Sequence, residues 1–336
     1  MLSNFGSQAQ RFEQLAQQYT GTECGLAVAT CDIGLMLAVK ALGVPPGAEA
    51  LVPSFTFNST LHALLWNGLQ PRFIDVDRDT FGISVESVRA ALTDQTALVV
   101  GTHVFGVPCE AAGIEALCRA RGVRSLFDAA QAFGTWLQDS HVSSYGDASA
   151  FSFSGTKVTT SAEGGFVTFR DRHAAERFAW LRGYGFEGDY ISRLVGLNGK
   201  LSELHATLGT LTVPRTDDIV RRRGELDALY RERLAGVPGI RFQTVPAGVR
   251  PSYTYMAVDL GSRRSLVAGA LADAGIQTKA YFRPLHQMPL FADFRLDTLP
   301  VTEELGASLL CLPLYPDLDE TQVDEVADRV CTALGA

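Results

Sequence analysis

Short apolar, β-branched runs alternate with helical patterns along the first 200 residues of the chain. Strands are predicted at 50–52, 72–76, 97–100, 124–127 and 148–153, and helices at 33–42, 60–67, 85–92 and 114–121. Regular alternation of this kind predicts an α/β fold, in which a mainly parallel sheet carries helices on both faces. Ligands of such sheets bind beyond the carboxyl ends of the strands. The functional residues are therefore expected at that edge.

The last third of the chain follows a different pattern. Residues 202–234 have the pattern of one or two long helices, interrupted near Pro214. Short strands and one helix at 265–274 come next, and an amphipathic helix begins at Glu320. We predict a large domain over 1–235, including the long connecting helix, and a smaller C-terminal α/β domain over 236–336.

Composition excludes several classes of function. The net charge of −8 argues against nucleic acid or an anionic membrane surface as the main partner. No segment approaches the roughly 18 consecutive apolar residues of a membrane span. The six cysteines are scattered without any C-x-x-C pair, which is typical of reduced thiols in a cytoplasmic protein. The six histidines show no close ligand spacing, so we expect no metal site.

An apolar run ends in an acid at residues 127–131, which read FDAAQ. An aspartate at the end of a buried strand is costly unless it meets a cation or several hydrogen-bond donors. The protonated nitrogen of a pyridine cofactor is one such cation. Asp128 is thus a candidate partner of that nitrogen, with Gln131 as a donor to the phenolic oxygen of the same ring. The alternative is an aspartate that only caps the following turn.

A lysine follows the next predicted strand in the hydroxyl-rich segment FSFSGTK at 151–157. A lysine that readily loses its proton is a nucleophile for aldehydes, and Ser152 is a candidate phosphate ligand. The glycines at 164–165 are expected to let the backbone turn sharply into the next strand. Lys157 lies 29 residues after Asp128, so neighbouring strand ends can present both residues to one ring.

Several motifs occur in a specific order over nearly the whole chain. They are VPSFTF at 52–57, FIDVD at 73–77, HVFG at 103–106, DAAQ at 128–131, SFSGTK with EGG at 152–165, GLNGKLSE at 196–203 and LPLYP at 312–316. In sequence and order they resemble the DegT/DnrJ/EryC1/StrS family of pyridoxal 5'-phosphate (PLP) dependent sugar aminotransferases of fold type I. The resemblance implies the fold of a PLP-dependent transferase.

The resemblance also implies roles for the matching residues. Lys157 would carry PLP as an aldimine and would be catalytic together with Asp128, which pairs with the ring nitrogen. Gln131 would contact the phenolic oxygen, Ser152 would bind the phosphate, and Phe57 would cover the face of the ring.

The phosphate-binding turn departs from the family pattern. The family usually has NGTxAL there, whereas this chain has Cys31 and Asp32 in the aligned stretch. An acid repels a phosphate dianion, so we hypothesise that Asp32 caps the following helix and leaves the phosphate to backbone amides. The sequence begins near the family's GPxVxxFE segment, here residues 6–13, so the usual opening helix of the family is not expected before it.

The GLNGKLSE block implies an assembly. In the family pattern its asparagine, here Asn198, reaches the phosphate of the partner subunit's cofactor, which implies a homodimer with shared active sites. Lys200 replaces the arginine of the family block, which keeps the positive charge but loses the bidentate geometry.

The function implied is transfer of an amino group, with glutamate as the expected donor, to a keto group of a nucleotide-linked deoxysugar. Family members that dehydrate sugars replace the lysine, so Lys157 argues against that reaction. Two alternatives stay open: a PLP enzyme acting on a cyclitol or an amino acid, and a non-catalytic member. His103 is either a buried structural imidazole or a substrate contact, and His286 is a candidate for the substrate side.

Overall fold

The computed structural model describes residues 5–188, 190–294 and 298–335. The strands in these residues are β1 (Gly25–Val28), β2 (Glu49–Pro53), β3 (Gln70–Ile74), β4 (Thr96–Thr102), β5 (Arg124–Asp128), β6 (Trp136–Leu137), β7 (Ser140–His141), β8 (Ala148–Ser152), β9 (Gly165–Phe169), β10 (Arg241–Phe242), β11 (Val249–Arg250), β12 (Met256–Asp259) and β13 (Leu309–Leu312). The α-helices are α1 (Ser7–Thr20), α2 (Cys31–Ala41), α3 (Asn58–Trp66), α4 (Val85–Ala91), α5 (Ala111–Arg121), α6 (Arg172–Arg182), α7 (Glu203–Thr212), α8 (Thr216–Arg233), α9 (Arg264–Asp273), α10 (Pro300–Ser308) and α11 (Glu320–Leu334). In the described part of the chain, no helix is both long enough and apolar enough to cross a membrane.

Seven strands form the central sheet in the order β1-β9-β8-β5-β4-β2-β3. The five strands β8, β5, β4, β2 and β3 are parallel to one another, whereas β9 is antiparallel to both β8 and β1. The prediction of a mainly parallel sheet is therefore confirmed.

Helices cover both faces of this sheet, as predicted. Along β4, Leu98 and Val100 belong to the core that α2, α3 and α6 cover, whereas Val99 belongs to the core under α4 and α5. Successive side chains of a strand point to opposite faces, so a strand buried on both sides is apolar throughout. This burial explains why the strands could be predicted from continuous apolar runs.

A second core lies in the last third of the chain. The antiparallel sheet β10-β12-β13 packs with α9 and α11, and the C-terminal half of α8 contributes Leu226 and Tyr230 to the same core, together with Leu234 directly after the helix. A short helical turn at Val213–Arg215 separates α7 from α8, which confirms the predicted interruption near Pro214. The division into domains at residue 235 stays a prediction.

The first helix is capped by a side chain from a distant element. Gly6, at the N-cap of α1, has no side chain to accept hydrogen bonds from the helix amides. The Glu203 carboxylate accepts them instead, from the amides of Gly6 (2.8 Å), Gln8 (3.0 Å) and Ala9 (3.0 Å). Burial alone would raise the pKa of Glu203, but the three amide donors outweigh it and lower the pKa. An anion at a helix N-terminus is also favoured by the helix dipole.

We expect Glu203→Ala to lower the free energy of unfolding at neutral pH by about 1–2 kcal/mol, because three amides lose their acceptor. Since the folded-state pKa is below the unfolded value, this contribution is fully present above about pH 4.3 and is lost as the pH falls through the lowered pKa. Urea denaturation of wild type, Glu203→Ala and the matched Glu203→Gln at several pH values measures it. A difference between wild type and Glu203→Gln that does not shrink in acid would contradict this account.

Candidate active site

The carboxyl ends of β2, β4, β5 and β8 meet the start of α2 and enclose a cleft of about 300 Å³, called here the strand-end cleft. Seven of the eight predicted site residues line it: Cys31, Asp32, Phe57, Asp128, Gln131, Ser152 and Lys157. The position of the cleft follows from the topology, because parallel strands all end at the same edge of the sheet.

Asp128 ends β5 and is only 5% exposed. Its Oδ2 accepts a hydrogen bond from Thr60 Oγ1 at 2.5 Å, and its Oδ1 accepts one from the Ala130 amide at 3.1 Å. No cationic side chain of the described residues forms an ion pair with it, and burial raises its pKa. A buried carboxylate with two donors and no cation is a site that a cationic ligand would complete.

Lys157 lies in the turn after β8, half-buried in the wall of the cleft. Its backbone amide donates to the Ser154 carbonyl at 3.1 Å, which fixes the turn. Its Nζ forms no hydrogen bond or ion pair with any described residue. The amine is therefore available to a ligand in the cleft.

Three further predicted residues offer complementary groups. Gln131 uses its Oε1 to accept from the Phe105 amide at 2.6 Å, which leaves its Nε2 group as a donor. Ser152 is the last residue of β8, and its Oγ accepts from the Ser154 amide at 3.3 Å. Phe57 precedes α3, and its ring is 55% exposed although the residue lines the cleft. An exposed ring of this kind is available to stack on a flat ligand.

The start of α2 differs from the expectation. The N-cap is Thr30, whose Oγ1 accepts from the Ile33 amide at 3.2 Å, so the hypothesis that Asp32 caps this helix is wrong. An N-cap residue has extended backbone geometry, as Thr30 does, whereas Asp32 already lies inside the first turn with an exposed side chain. Cys31 is the first helical residue, and burial raises the pKa of its thiol. The first amides of α2 therefore face the cleft beside an acid that is not needed for capping.

The glycine pair after the lysine has a different role from the one expected. Neither Gly164 nor Gly165 has a left-handed backbone conformation, so a sharp turn does not explain them. A Cβ on Gly165 would lie 2.8 Å from both the Cys31 nitrogen and the Thr30 carbonyl carbon. Gly165 is therefore required because β9 approaches the start of α2 closely, and it sets the position of that turn.

We expect Gly165→Ala to lower the free energy of unfolding by about 1–3 kcal/mol, because backbone must move to admit the methyl group. The matched control is Gly269→Ala in α9, where a Cβ meets no atom within 4 Å and alanine favours the helix by about 0.5–1 kcal/mol. Thermal and urea unfolding of both variants tests this. Equal stability of the two variants would show that the contact with α2 does not constrain residue 165.

Asn198 is the one predicted residue that the chain does not bring to the cleft. It is exposed, and its backbone bridges to Gly183. Lys200 Nζ donates to Asn198 Oδ1 at 2.7 Å and lies over the Tyr184 ring. The Nδ2 group of Asn198 is thus left as a donor on the surface. Its role toward a partner subunit stays a prediction.

Both singled-out histidines are buried. His103 stacks on Phe127 with ring centroids 5.0 Å apart, and burial lowers its pKa to about 3, so the imidazole is neutral. It lies in the cleft wall. His286 lies outside the residues that line the cleft, where its Nδ1 meets Ser54 Oγ at 2.7 Å and its Nε2 meets Glu303 at 3.1 Å. A position on the substrate side is thus not observed for His286.

The sequence did not predict several groups in the cleft. These are the threonines and aromatic residues Thr30, Thr56, Thr102, Tyr255, Tyr281 and Phe282. Thr56 stands inside the VPSFTF block and could have been found there. Tyr255 and Tyr281 come from the last third of the chain, where no motif marks them, and only the packing of that part on the large sheet brings them to Lys157.

Comparison with known proteins agrees with this geometry. The family model described as the DegT/DnrJ/EryC1/StrS aminotransferase family matches residues 1–331. A UDP-N-acetyl-3-dehydro-alpha-D-glucosamine 3-aminotransferase from Acidithiobacillus ferrooxidans is 32% identical over 96% of this chain and 87% of that protein. GDP-perosamine synthase from Escherichia coli O157:H7 is 28% identical over 98% of this chain and 91% of that protein. The crystal structure of the aminotransferase TlmJ from Streptoalloteichus hindustanus superimposes with a TM-score of 0.95 at 30% identity, covering 99% of this chain and 92% of that one.

The fold and the site define an α/β enzyme of the aminotransferase class. More closely, the chain belongs to the DegT/DnrJ/EryC1/StrS aminotransferase family. The resemblance inferred from the motifs is thereby confirmed.

Proposed function

We propose that this enzyme transfers an amino group, with glutamate as donor, to a keto group of a nucleotide-linked deoxysugar, using PLP held in the strand-end cleft. The observation that carries the proposal is that one cleft holds both a buried carboxylate, Asp128, and an amine, Lys157, neither of which forms an ion pair with any described residue. Relatives named for nucleotide sugars, such as the GDP-perosamine synthase, support the substrate class.

The residues present fit PLP. Asp128 supplies the negative charge that a protonated pyridine nitrogen needs, and the Nε2 group of Gln131 supplies a donor for the phenolic oxygen. Ser152 and the first amides of α2 would bind the phosphate, as helix N-termini bind anions. Phe57 would cover the ring.

The chemistry of this chain's residues follows from their positions. PLP, when bound, supplies an electron sink that acidifies a carbon-bound proton of the amino donor. Asp128 would stabilise the positive charge of the ring nitrogen. Lys157 would hold the cofactor through its Nζ in the resting enzyme, and once the amino group of the donor has displaced it, the free Nζ would remove and return the proton as general base and acid.

We expect Lys157→Ala to lower turnover by roughly 10³-fold or more, because it removes both the covalent anchor and the proton carrier. Glutamate and a ketosugar nucleotide are the substrates, and borohydride reduction tests where PLP is attached. Lys40→Ala, in the last turn of α2, is the control and should retain activity and reducible attachment. Attachment of PLP to the chain in Lys157→Ala would place the bond elsewhere. A wild-type enzyme that binds PLP but ignores nucleotide sugars would favour a cyclitol or amino-acid substrate.

We further propose a homodimer with shared active sites. Several large apolar side chains are exposed on either side of Asn198 in the sequence, in the segment before it and on α7: Tyr184, Tyr190, Ile191, Val195, Leu204, Leu208 and Leu211. Exposed apolar side chains of this kind are typical of an interface between subunits. Asn198 lies between the two groups in the sequence, with its Nδ2 as a donor on the surface and the positive charge of Lys200 beside it. Both groups suit the phosphate of the partner subunit's cofactor.

We expect inactive Lys157→Ala and inactive Asn198→Asp subunits to regenerate activity when mixed. A mixed dimer carries both changes in one site and neither in the other, so random exchange restores about a quarter of the wild-type sites. Activity after mixing, with subunit exchange followed by native mass spectrometry, is the measurement. A mixture that exchanges but stays inactive would overturn the shared site.

We also propose a cytoplasmic location. All six cysteines are free, which supports a reducing compartment.

A further inference from the structure

Three buried threonines form a chain of hydroxyl groups that ends on Asp128. Thr102 Oγ1 lies 2.9 Å from Thr56 Oγ1, Thr56 Oγ1 lies 2.8 Å from Thr60 Oγ1, and Thr60 Oγ1 lies 2.5 Å from Asp128 Oδ2. Each of the three side chains is at most 5% exposed. We call Thr102, Thr56 and Thr60 the threonine chain. Its members come from different elements, namely β4, the loop after β2, and α3.

Each hydroxyl has a single proton to donate, and this determines the direction of the hydrogen bonds in the threonine chain. An ionised carboxylate only accepts hydrogen bonds, so Thr60 must donate its single hydroxyl proton to Asp128. Thr60 can then only accept from Thr56, and Thr56 can only accept from Thr102. All three dipoles therefore point toward the carboxylate, and such chains strengthen one another in a low-dielectric interior. A distance of 2.5 Å is typical of a hydroxyl that donates to a charged oxygen.

The threonine chain opposes the effect of burial on Asp128. Burial raises the pKa of this carboxyl, and among the groups that lower it the Thr60 hydroxyl stands ahead of the Ala130 amide and the more distant Lys157. A carboxyl that took up a proton would lose its charge and could no longer stabilise a cationic ring nitrogen.

We propose that Thr60 is a positioning residue for Asp128, which holds the carboxylate ionised and in a fixed orientation toward the cleft, and that Thr56 and Thr102 set the direction of the Thr60 hydroxyl. This inference rests on the proposed function, because the ionised form matters only for a cationic ligand. It also explains why a residue of α3 with no place in the cleft lining is buried as threonine and not as an apolar residue.

The test replaces Thr60 by the nearly isosteric valine, which keeps the packing but removes the hydroxyl. Aspartate carboxyls labelled with ¹³C are titrated by infrared spectroscopy in the cofactor-free enzyme, and Asp128→Asn identifies the signal of Asp128. We expect Thr60→Val to shift this titration upward by about one to two pKa units. Thr60→Ser should restore the wild-type value. Thr56→Val leaves Thr60 in place and should shift the titration in the same direction by less.

PLP affinity is the second measurement, made by equilibrium dialysis. We expect Thr60→Val to raise the dissociation constant of PLP by about tenfold. The control is Thr216→Val. It removes the hydrogen bond of 2.9 Å between the hydroxyls of Thr216 and Thr159, which are equally buried and lie outside the cleft. The control should change neither quantity.

A titration of Asp128 in Thr60→Val that matches wild type would overturn the proposal, as would an equal shift in Thr216→Val. Because the titration is made without cofactor, it tests the Thr60–Asp128 contact whatever the substrate is. Failure of wild-type enzyme to bind PLP would instead overturn the proposed function.

Discussion

The structure depends on one buried charge, the carboxylate of Asp128 at the end of β5. Removing such a group from water costs several kcal/mol unless other groups compensate for it. The chain offers two hydrogen-bond donors, Thr60 and the Ala130 amide, but no cation among the described residues. The compensation is therefore incomplete, and the site favours a ligand that brings a positive charge. This requirement supports the proposal that the cleft holds a cationic cofactor.

Sheet register explains how distant parts of the sequence meet around this charge. Asp128 stands level with Thr102 on β4 and with Ala150 on β8, because the three strands are parallel and adjacent. Ser152 therefore ends β8 two residues beyond the level of the carboxylate, and the turn after β8 places Lys157 in the wall of the same cleft. Residues that are dozens of positions apart in the sequence thus lie side by side in the parallel sheet. The close approach of Gly165 in β9 to the start of α2 sets the position of Thr30 and Cys31 in the wall of the cleft.

One part of the proposed site lies on the surface. Tyr184, Tyr190, Ile191 and Val195 are exposed in the segment before Asn198. The backbone of Asn198 bridges to Gly183, and the Gly199 amide donates to the Arg182 carbonyl. In the homodimer proposed above, the partner subunit would bury these exposed side chains, and the polar groups of each copy would reach the cleft of the other.

Much of the fold and of the candidate site could be predicted from the sequence, because local patterns carry that information. Continuous apolar strands alternating with helices predicted the parallel sheet, and an acid and a lysine after predicted strands predicted the cleft in which we propose that the chemistry takes place. The sequence could not reveal that Thr30 and not Asp32 caps α2, since both are good capping residues and only the backbone conformation distinguishes them. Nor could it reveal that Tyr255 and Tyr281 close the cleft, or that Thr60 donates to Asp128. These contacts join residues far apart in sequence, so only the packing of the tertiary structure decided them.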